Sequence, residues 1–272
     1  MAAKSPNGAT ASVKLVQITD THLYGDRNGT LVGMNCEEGL QDVLSLIRKE
    51  ESDLVTALCT GDISQDNSAT SYQHFYQVVA SLGIPQYWIP GNHDEVQVMT
   101  QAVGSDNPCF SKSFELAGWR VIMLNTHVDG QVYGELSSGE LKFLEQQLSA
   151  SAHQHVLLCL HHNCLPVDAE WLQKHALVNS DRLLELIDEH KQVKGVLFGH
   201  IHQEYERRRN SVLYLGSPST CIQFHPTNNE FALDHCNPGY RWLELFSNGV
   251  IKTGVKRVND KRYQVDFSSI GY

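Results

Sequence analysis

The chain has 272 residues, 41% of them hydrophobic and 19% charged, with a formal net charge of −10; this supports a sizeable core and excludes extended disorder. No apolar run approaches the roughly 20 residues of a membrane span, and the opening MAAKSPNGATAS lacks the apolar centre of a secretory signal, so no membrane partner and a cytoplasmic location are expected. The basic cluster Arg207 to Arg209 is too short to neutralise a run of phosphates, which excludes nucleic acid as the main partner, and seven irregularly spaced cysteines without a CxxC pair read as reduced core residues.

In chain order, residues 13–19 predict a buried strand, 36–50 an amphipathic helix, 53–60 a second strand and 69–82 a second helix, which is a βαβ start. A third strand, Gln86 to Ile89, enters PGNHD. A short helix is expected within 94–104, and FSKSFEL with WRVIMLN predicts a hairpin through Gly118. LSSGELKFLEQQLSA predicts a helix capped by Ser137, with Glu140 three residues on. Strand 155–160, a loop over 163–178, a helix from Ser180 to His190 and strand 193–198 follow. From Tyr205 onward SVLYLGS, TCIQFH, YRWLELFS and VIKTGVKR predict short strands and hence a second sheet. With 1–12 as a flexible N-terminus, residues 13–272 are expected to form one α/β domain of two packed sheets with helices outside, since each sheet must cover both faces.

Five of the predicted strands end in hard-to-borderline metal ligands. Asp20 and His22 follow VKLVQI, Asp62 follows LVTALC, Asn92 follows YWI, the pair His161 and His162 follows VLLCL, and His200 and His202 follow VKGVLF. Ligands on such strands collect in the crevice outside the carboxyl ends, so the pattern predicts one site that no domain boundary divides. In an extended chain Asp20 and His22 would project from one face. GHIH repeats the spacing where the chain can curl through Gly199, so His200 and His202 can serve different ions.

A lone histidine is ordinarily a surface or core residue, but seven candidates (Asp20, His22, Asp62, Asn92, His161, His200 and His202) exceed what one ion needs and imply two. Nitrogen and oxygen donors without thiolate fit Fe, Mn, Zn or Co rather than Ca or a structural zinc. Two such ions can share a carboxylate, generate hydroxide near neutral pH and clamp an in-line displacement at phosphorus. Their charge, less two carboxylates and a hydroxide, is roughly +1, which matches a phosphodiester monoanion.

DxH, GD, GNH, a histidine after a strand and GHxH, in this order, resemble the signature of calcineurin-like metallophosphoesterases. QITDTHL, ATSYQHF, PGNHD, GELS, LHHNCLP, FGHIHQE and GSPSTCIQF extend the resemblance over most of the chain, to the bacterial cyclic-AMP phosphodiesterase branch of that family. The resemblance implies a four-layer α-β-β-α sandwich of two mixed sheets. It also implies hydrolysis of a small cyclic nucleotide, 3′,5′-cyclic AMP, to 5′-AMP by hydroxide on a dinuclear centre. Asp20, His22 and His202 would hold one metal and Asn92, His161 and His200 the other, with Asp62 bridging; Fe and Mn lead the candidates, ahead of Zn and Co.

His22, Asp62, Asn92, His93 and His202 would border the substrate, with His93 as the catalytic residue that assists departure of the 3′-oxygen by hydrogen bonding or proton donation. Asp94 is read as the cap of the helix that follows, with orientation of His93 as the alternative. Many relatives carry prolines after the paired histidines, where Asn163 and Cys164 stand here. His161, directly after its strand, is favoured as ligand, and His162 then lies behind it or faces the substrate.

His127 can approach the site, whereas His74, His153, His155, His175 and His190 are expected at the surface and Arg207 to Arg209 in solvent. GSPST and Cys221 to Phe224 are expected to contact substrate. The glycosylation pattern at Asn28 is discarded for want of a signal peptide. The alternatives are another small diester, such as a 2′,3′-cyclic nucleotide or a glycerophosphodiester, and a scaffold that has lost catalysis, against which the full ligand set argues. Protein phosphatases of the family carry arginines around GD and GNH, where this chain reads GDISQD and GNHDEV.

Overall fold

Apolar runs covered on both faces make the strands that carry the site. A computed structural model describes residues 11–271; residues 1–10 of the expected flexible N-terminus lie outside the described residues. The elements are β1 (Ser12–Ile18), β2 (Thr30–Leu31), β3 (Met34–Asn35), α1 (Cys36–Glu50), β4 (Leu54–Cys59), α2 (Ala69–Ala80), β5 (Gln86–Trp88) and α3 (Val96–Val103). After a 3₁₀ turn come β6 (Ser113–Leu116), β7 (Trp119–Met123), α4 (Ser138–Ala150), β8 (His155–Cys159), α5 (Glu170–Gln173), α6 (Ser180–Glu189) and β9 (Val193–Phe198). The chain ends through β10 (Tyr205–Arg209), β11 (Val212–Gly216), β12 (Gln223–Phe224), β13 (Leu233–Asp234), β14 (Gly239–Phe246) and β15 (Ile251–Arg257).

Two mixed sheets form, in the orders β15-β14-β1-β4-β5 and β10-β11-β9-β8-β7-β6. Apart from the short antiparallel pair β12–β13, the strands after Tyr205 therefore join these two sheets instead of building a second one, and that expectation is corrected. β14 returns to pair antiparallel with β1, Leu243 opposite Leu15, and carries β15 to the edge of the first sheet. β11 joins β9 in parallel and brings β10 to the edge of the second. The cause is burial: alternate residues Arg241, Leu243 and Leu245 of β14 are sequestered, and the open edge of β1 satisfies their backbone groups. The expected loop 163–178 contains one helical turn, α5, and its Leu177 bridges to Gly134.

Side-chain alternation assigns the layers. Leu15, Leu58, Trp119, Leu157, Leu197 and Leu243 fill the space between the sheets. Their opposite-facing neighbours Val16, Ile18, Val156 and Leu158 cluster with Leu40, Val43 and Ile47 of α1, Phe75 of α2, Leu144 of α4 and Leu183 of α6. Caps set the helix starts, with Asn35 Oδ1 accepting from the Glu38 N–H at 2.7 Å and Ser137 Oγ from the Glu140 N–H at 3.1 Å. The Glu140 carboxylate turns away from that cap and accepts from the Asn125 N–H at 3.2 Å.

Two polar residues, Gln17 and Arg241, interrupt the inter-sheet core beneath the site. The Gln17 amide donates to Thr60 Oγ1 at 2.7 Å and to the Phe198 carbonyl at 3.0 Å, and its oxygen accepts from Ser217. Arg241, 1% exposed, donates to Ser217 Oγ at 3.3 Å and to the Gly216 carbonyl at 2.8 Å, and burial pushes its pKa down to about 10. The ends of β1, β4 and β9 are thereby tied together across the two sheets.

Candidate metal centre

The ligand clusters leave their strands through left-handed backbone. Asp20 (φ 54°), His22 (φ 47°), Asp62 (φ 51°), His200 (φ 67°) and His202 (φ 47°) all have positive φ. The extended Asp20-Thr21-His22 expected from the spacing is corrected accordingly: both side chains reach the site because the chain coils. Left-handed backbone costs an ordinary residue roughly 1–2 kcal/mol, and Asp and His are among the side chains that tolerate it best. Backbone bonds hold the coil, with the N–H groups of Asp20, His22 and Leu23 donating to the carbonyls of Gly61, Asp62 and Ile63 at 3.0, 2.9 and 2.8 Å. Gly61, at φ 99°, lies so close beneath His161 that an added Cβ would sit 2.5 Å from its Nδ1.

These turns converge two groups of donors. Asp20, His22, Asp62 and His202 each bring one atom within 4.8 Å of the others, as do His161, His162 and His200. His22 Nε2 is 3.2 Å from His202 Nε2, which is 3.4 Å from Asp20 Oδ1. Asp62 Oδ2 lies between the groups, 3.8 Å from His22 Nε2 and 3.3 Å from His161 Nε2, and His161 Nε2 is 3.2 Å from Asn92 Oδ1.

Outward partners orient the rings. Nδ1 of His22, His161 and His202 faces Gln65 Oε1, the Thr60 carbonyl and the Ile222 carbonyl at 2.7, 2.7 and 2.9 Å. Each Nδ1–H therefore donates outward and each Nε2 lone pair turns to the middle, the arrangement of metal-ligating histidines. Lone pairs facing one another and two carboxylates repel unless a cation lies among them. His200 Nε2 is buried without a hydrogen-bond partner among the described residues, a further donor of the same kind. The residues fit a pair of divalent ions.

Burial opposes charge on Asp62, yet His161, His93 and His22 hold its carboxyl well below the usual range. Burial also works against charge on His161, but Asp62 raises it to about 9; a cation between the two would take the place of that proton. Burial lowers His22 to about 3 and keeps His162 and His200 well below the ordinary imidazole value.

Around this centre several expectations need revision. Asp94 does not cap α3; Glu95 does, its Oε1 accepting from the Gln97 N–H at 3.3 Å. The Asp94 carboxylate is turned inward, 3% exposed, and accepts from the N–H groups of Ile63 and Ser64, both at 3.0 Å, and of Gly91 at 2.9 Å. It clamps the loop of Asp62 to the loop of Asn92. His74, expected at the surface, is buried between Glu37 at 2.6 Å and Arg27 at 3.1 Å. His155 opens β8 and packs against Trp119.

His162 belongs to the second donor group by distance, but its Nδ1 meets Thr126 Oγ1 at 2.7 Å and its Nε2 the Val132 carbonyl at 3.1 Å. His127 does approach the site, with Nδ1 2.8 Å from the Gly91 carbonyl. The His93 N–H donates to Asp62 Oδ1 at 2.9 Å, and its ring stands edge-on to His22, centroids 5.0 Å apart. Arg207 and Arg208 are exposed on the edge strand β10, and Arg209 pairs with Asp188. In GSPST, Ser219 Oγ donates to the Asp20 carbonyl at 2.6 Å, so part of that segment supports a ligand loop. Gln65, Thr60 and Thr126 went unrecognised in the sequence, and Ile222 was noticed only within the segment expected to contact substrate; of the four, Gln65 and Thr126 act through their side chains.

Two packed mixed sheets with aspartate, asparagine and histidine donors at five strand ends define a dinuclear metallophosphoesterase. Residues 13–204 match the calcineurin-like phosphoesterase family, and the chain belongs to it. It is 37% identical over 263 residues to the 3′,5′-cyclic adenosine monophosphate phosphodiesterase CpdA of Pseudomonas aeruginosa, covering 96% of each chain. To the protein of the same name from Escherichia coli K12 it is 39% identical, covering 98% of each. Among solved structures, a dimetal phosphatase of Danio rerio superposes with a TM-score of 0.62 at 14% identity, covering 91% of this chain and 99% of that one. A purple acid phosphatase of yellow lupin gives 0.67 at 15% identity, over 94% of this chain and 53% of that one. These two likenesses concern the fold alone.

Proposed function

We propose that the chain hydrolyses 3′,5′-cyclic AMP to 5′-AMP, with Asp20, His22 and His202 on one divalent ion, Asn92, His161 and His200 on the other, and Asp62 shared. The carrying observation is a complete nitrogen and oxygen donor set around Asp62, in a chain 37% and 39% identical, nearly end to end, to relatives named for that reaction. We read residues 13–272 as one domain, because ligand loops from both sheets meet at Asp62. Imidazole, carboxylate and amide donors without thiolate fit Fe, Mn, Zn or Co, and we put Fe and Mn first on the resemblance to the family. Seven free cysteines, six of them buried, favour a reducing cytoplasmic setting, and no helix of the described residues is long and apolar enough to cross a membrane.

Bound ions supply Lewis acidity, lowering the pKa of water and neutralising the phosphodiester charge. The chain's own residues do the positioning. His22, Asp62, Asn92, His93 and His202 border the phosphate. A water oxygen forms the new bond to phosphorus and loses a proton, the bond to the 3′-oxygen breaks, and that oxygen takes up a proton. His93, anchored through its N–H on Asp62, has its ring beside His22 and is the side chain suited to donate to the leaving oxygen.

The test is kcat/KM of metal-reconstituted protein for 3′,5′-cyclic AMP, 2′,3′-cyclic AMP, cyclic GMP and bis-p-nitrophenyl phosphate. A clear preference for 3′,5′-cyclic AMP is expected. Preference for the 2′,3′ isomer or the aryl diester would overturn the substrate and spare the chemistry. Two ions bound with no turnover of any of the four would overturn both.

A further inference from the structure

A cavity of about 270 Å³ opens beside the metal centre and shares Asn92, His93 and His200 with it. Trp171, Phe224 and Phe231 make part of its lining apolar and aromatic. No Asp, Glu, Lys or Arg is among the described residues that line it. The rings form one cluster, with Trp171 standing edge-to-face to Phe224 and Phe231 at centroid distances of 5.0 and 5.3 Å. Phe224 in turn stacks on the ring of His202 at 4.0 Å and 9°. An aromatic surface thus runs from a metal-site histidine to the cavity. Phe224 is buried, whereas Trp171 and Phe231 are half-buried.

We infer that this cavity is the base subsite, and that Trp171 and Phe231 select diesters carrying a planar, uncharged heteroaromatic group. The inference rests on the phosphodiesterase reading above, which puts the phosphate at the Asn92 end. A neutral lining suits a nucleobase, whose π-face stacks on aromatic rings. A single helical turn, α5, brings Trp171 to this lining from a connection that otherwise has no repeating apolar pattern. Aromatic rings also attract quaternary ammonium groups, so a choline diester is the competing occupant.

The experiment compares cyclic AMP with glycerophosphocholine, a diester without a base, in metal-reconstituted wild type, Trp171→Ala and Trp171→Phe. Quenching of tryptophan fluorescence by 5′-AMP is followed in parallel. Trp171→Ala is expected to raise KM for cyclic AMP about 10- to 100-fold, the range for a lost stacking surface, with a much smaller change in kcat. Trp171→Phe is expected to recover most of KM while losing the quench. If Trp171→Ala spares cyclic AMP, or weakens glycerophosphocholine as much or more, the base subsite is overturned and the phosphodiesterase reading stands. If wild type turns over no cyclic AMP, that reading fails and the fluorescence titration decides the subsite by itself. Should Trp171→Ala not fold, Phe231→Leu carries the same expected KM shift.

Discussion

Replacing Asp94 tests whether the two loops that carry Asp62 and Asn92 are held in register by one carboxylate. Burial and the nearby Asp62 push its pKa up to about 6, while the N–H groups of Gly91, Ser64 and Ile63 pull it back, so it is ionised at about pH 7.5. Asp94→Ala deletes acceptors for three buried N–H groups. Hydrogen bonds to a charged acceptor are worth about 1.5–3 kcal/mol each. Water entering the space left, and relief of the burial and the Asp62 repulsion that raise the pKa, offset much of this, so a loss of about 2 kcal/mol is expected, or about 5 °C in Tm for a chain of this size. The ligand loops should loosen as well, weakening metal binding about 10- to 100-fold, the range for lost partners of metal ligands. Asp94→Asn keeps one oxygen for Ile63 and Ser64 but sets an NH₂ against the Gly91 N–H, so it should lie about halfway. Chemical denaturation of the metal-free protein and chelator competition of the loaded protein give the two numbers. A loss under about 1 kcal/mol with unchanged metal affinity would refute the clamp.

Asn92→Ala should lower bound metal from two ions to about one per chain, measured by elemental analysis, with loss of most activity. His93→Ala should retain both ions while kcat falls about 10²- to 10³-fold, as expected for one transition-state hydrogen bond; equal loss of metal would remove His93 from catalysis. Gly61→Ala, at φ 99° and with its new methyl 2.5 Å from His161 Nδ1 and 2.6 Å from the Gly91 nitrogen, should cost more than about 2 kcal/mol in urea unfolding. Arg209 and Asn210 hold the Asp188 carboxyl below its ordinary pKa, so its contribution is present above the unfolded value and lost as pH falls through the folded one. Asp188→Asn should therefore cost under about 1 kcal/mol near pH 7, and the gap to wild type should close as pH is taken down through the carboxylate range.

The ligands were legible because metal chemistry admits few residue types and each of them followed an apolar run. Their supports were far less visible. Two of the oxygens that orient His161 and His202 are backbone carbonyls, of Thr60 and Ile222, and a carbonyl leaves no mark in a sequence. Asp94 misled because it stands just ahead of a helix, where a carboxylate ordinarily caps, while its buried donors lie about 30 residues earlier, at Ile63 and Ser64. The strands, the helices and their packing as two covered sheets were expected from the periodicity, but which strands share a sheet was not, and least of all the partner of β14. Its ladder joins Leu243 to Leu15, and nothing local in YRWLELFS distinguishes the edge of one sheet from the edge of the other. Gln17 and Arg241 sit inside apolar runs whose pattern hides them.

The left-handed turns at Asp20, His22, Asp62, His200 and His202 bear on which substitutions these positions can accept. Backbone of this hand admits glycine freely and asparagine, aspartate and histidine with little strain, and it penalises β-branched and bulky residues. Apart from glycine, those tolerated types are oxygen or nitrogen donors. A chance replacement by Val, Ile or Thr would lose the donor and strain the turn in one step, whereas exchange among Asp, Asn and His keeps the turn and leaves some ligating capacity. Saturation mutagenesis scored for folding alone, without metal or substrate, should therefore already return this restricted alphabet at the five positions. The path by which such a chain drifts toward a different metal preference is correspondingly open, and the path toward an inert core at the same strand ends is narrow.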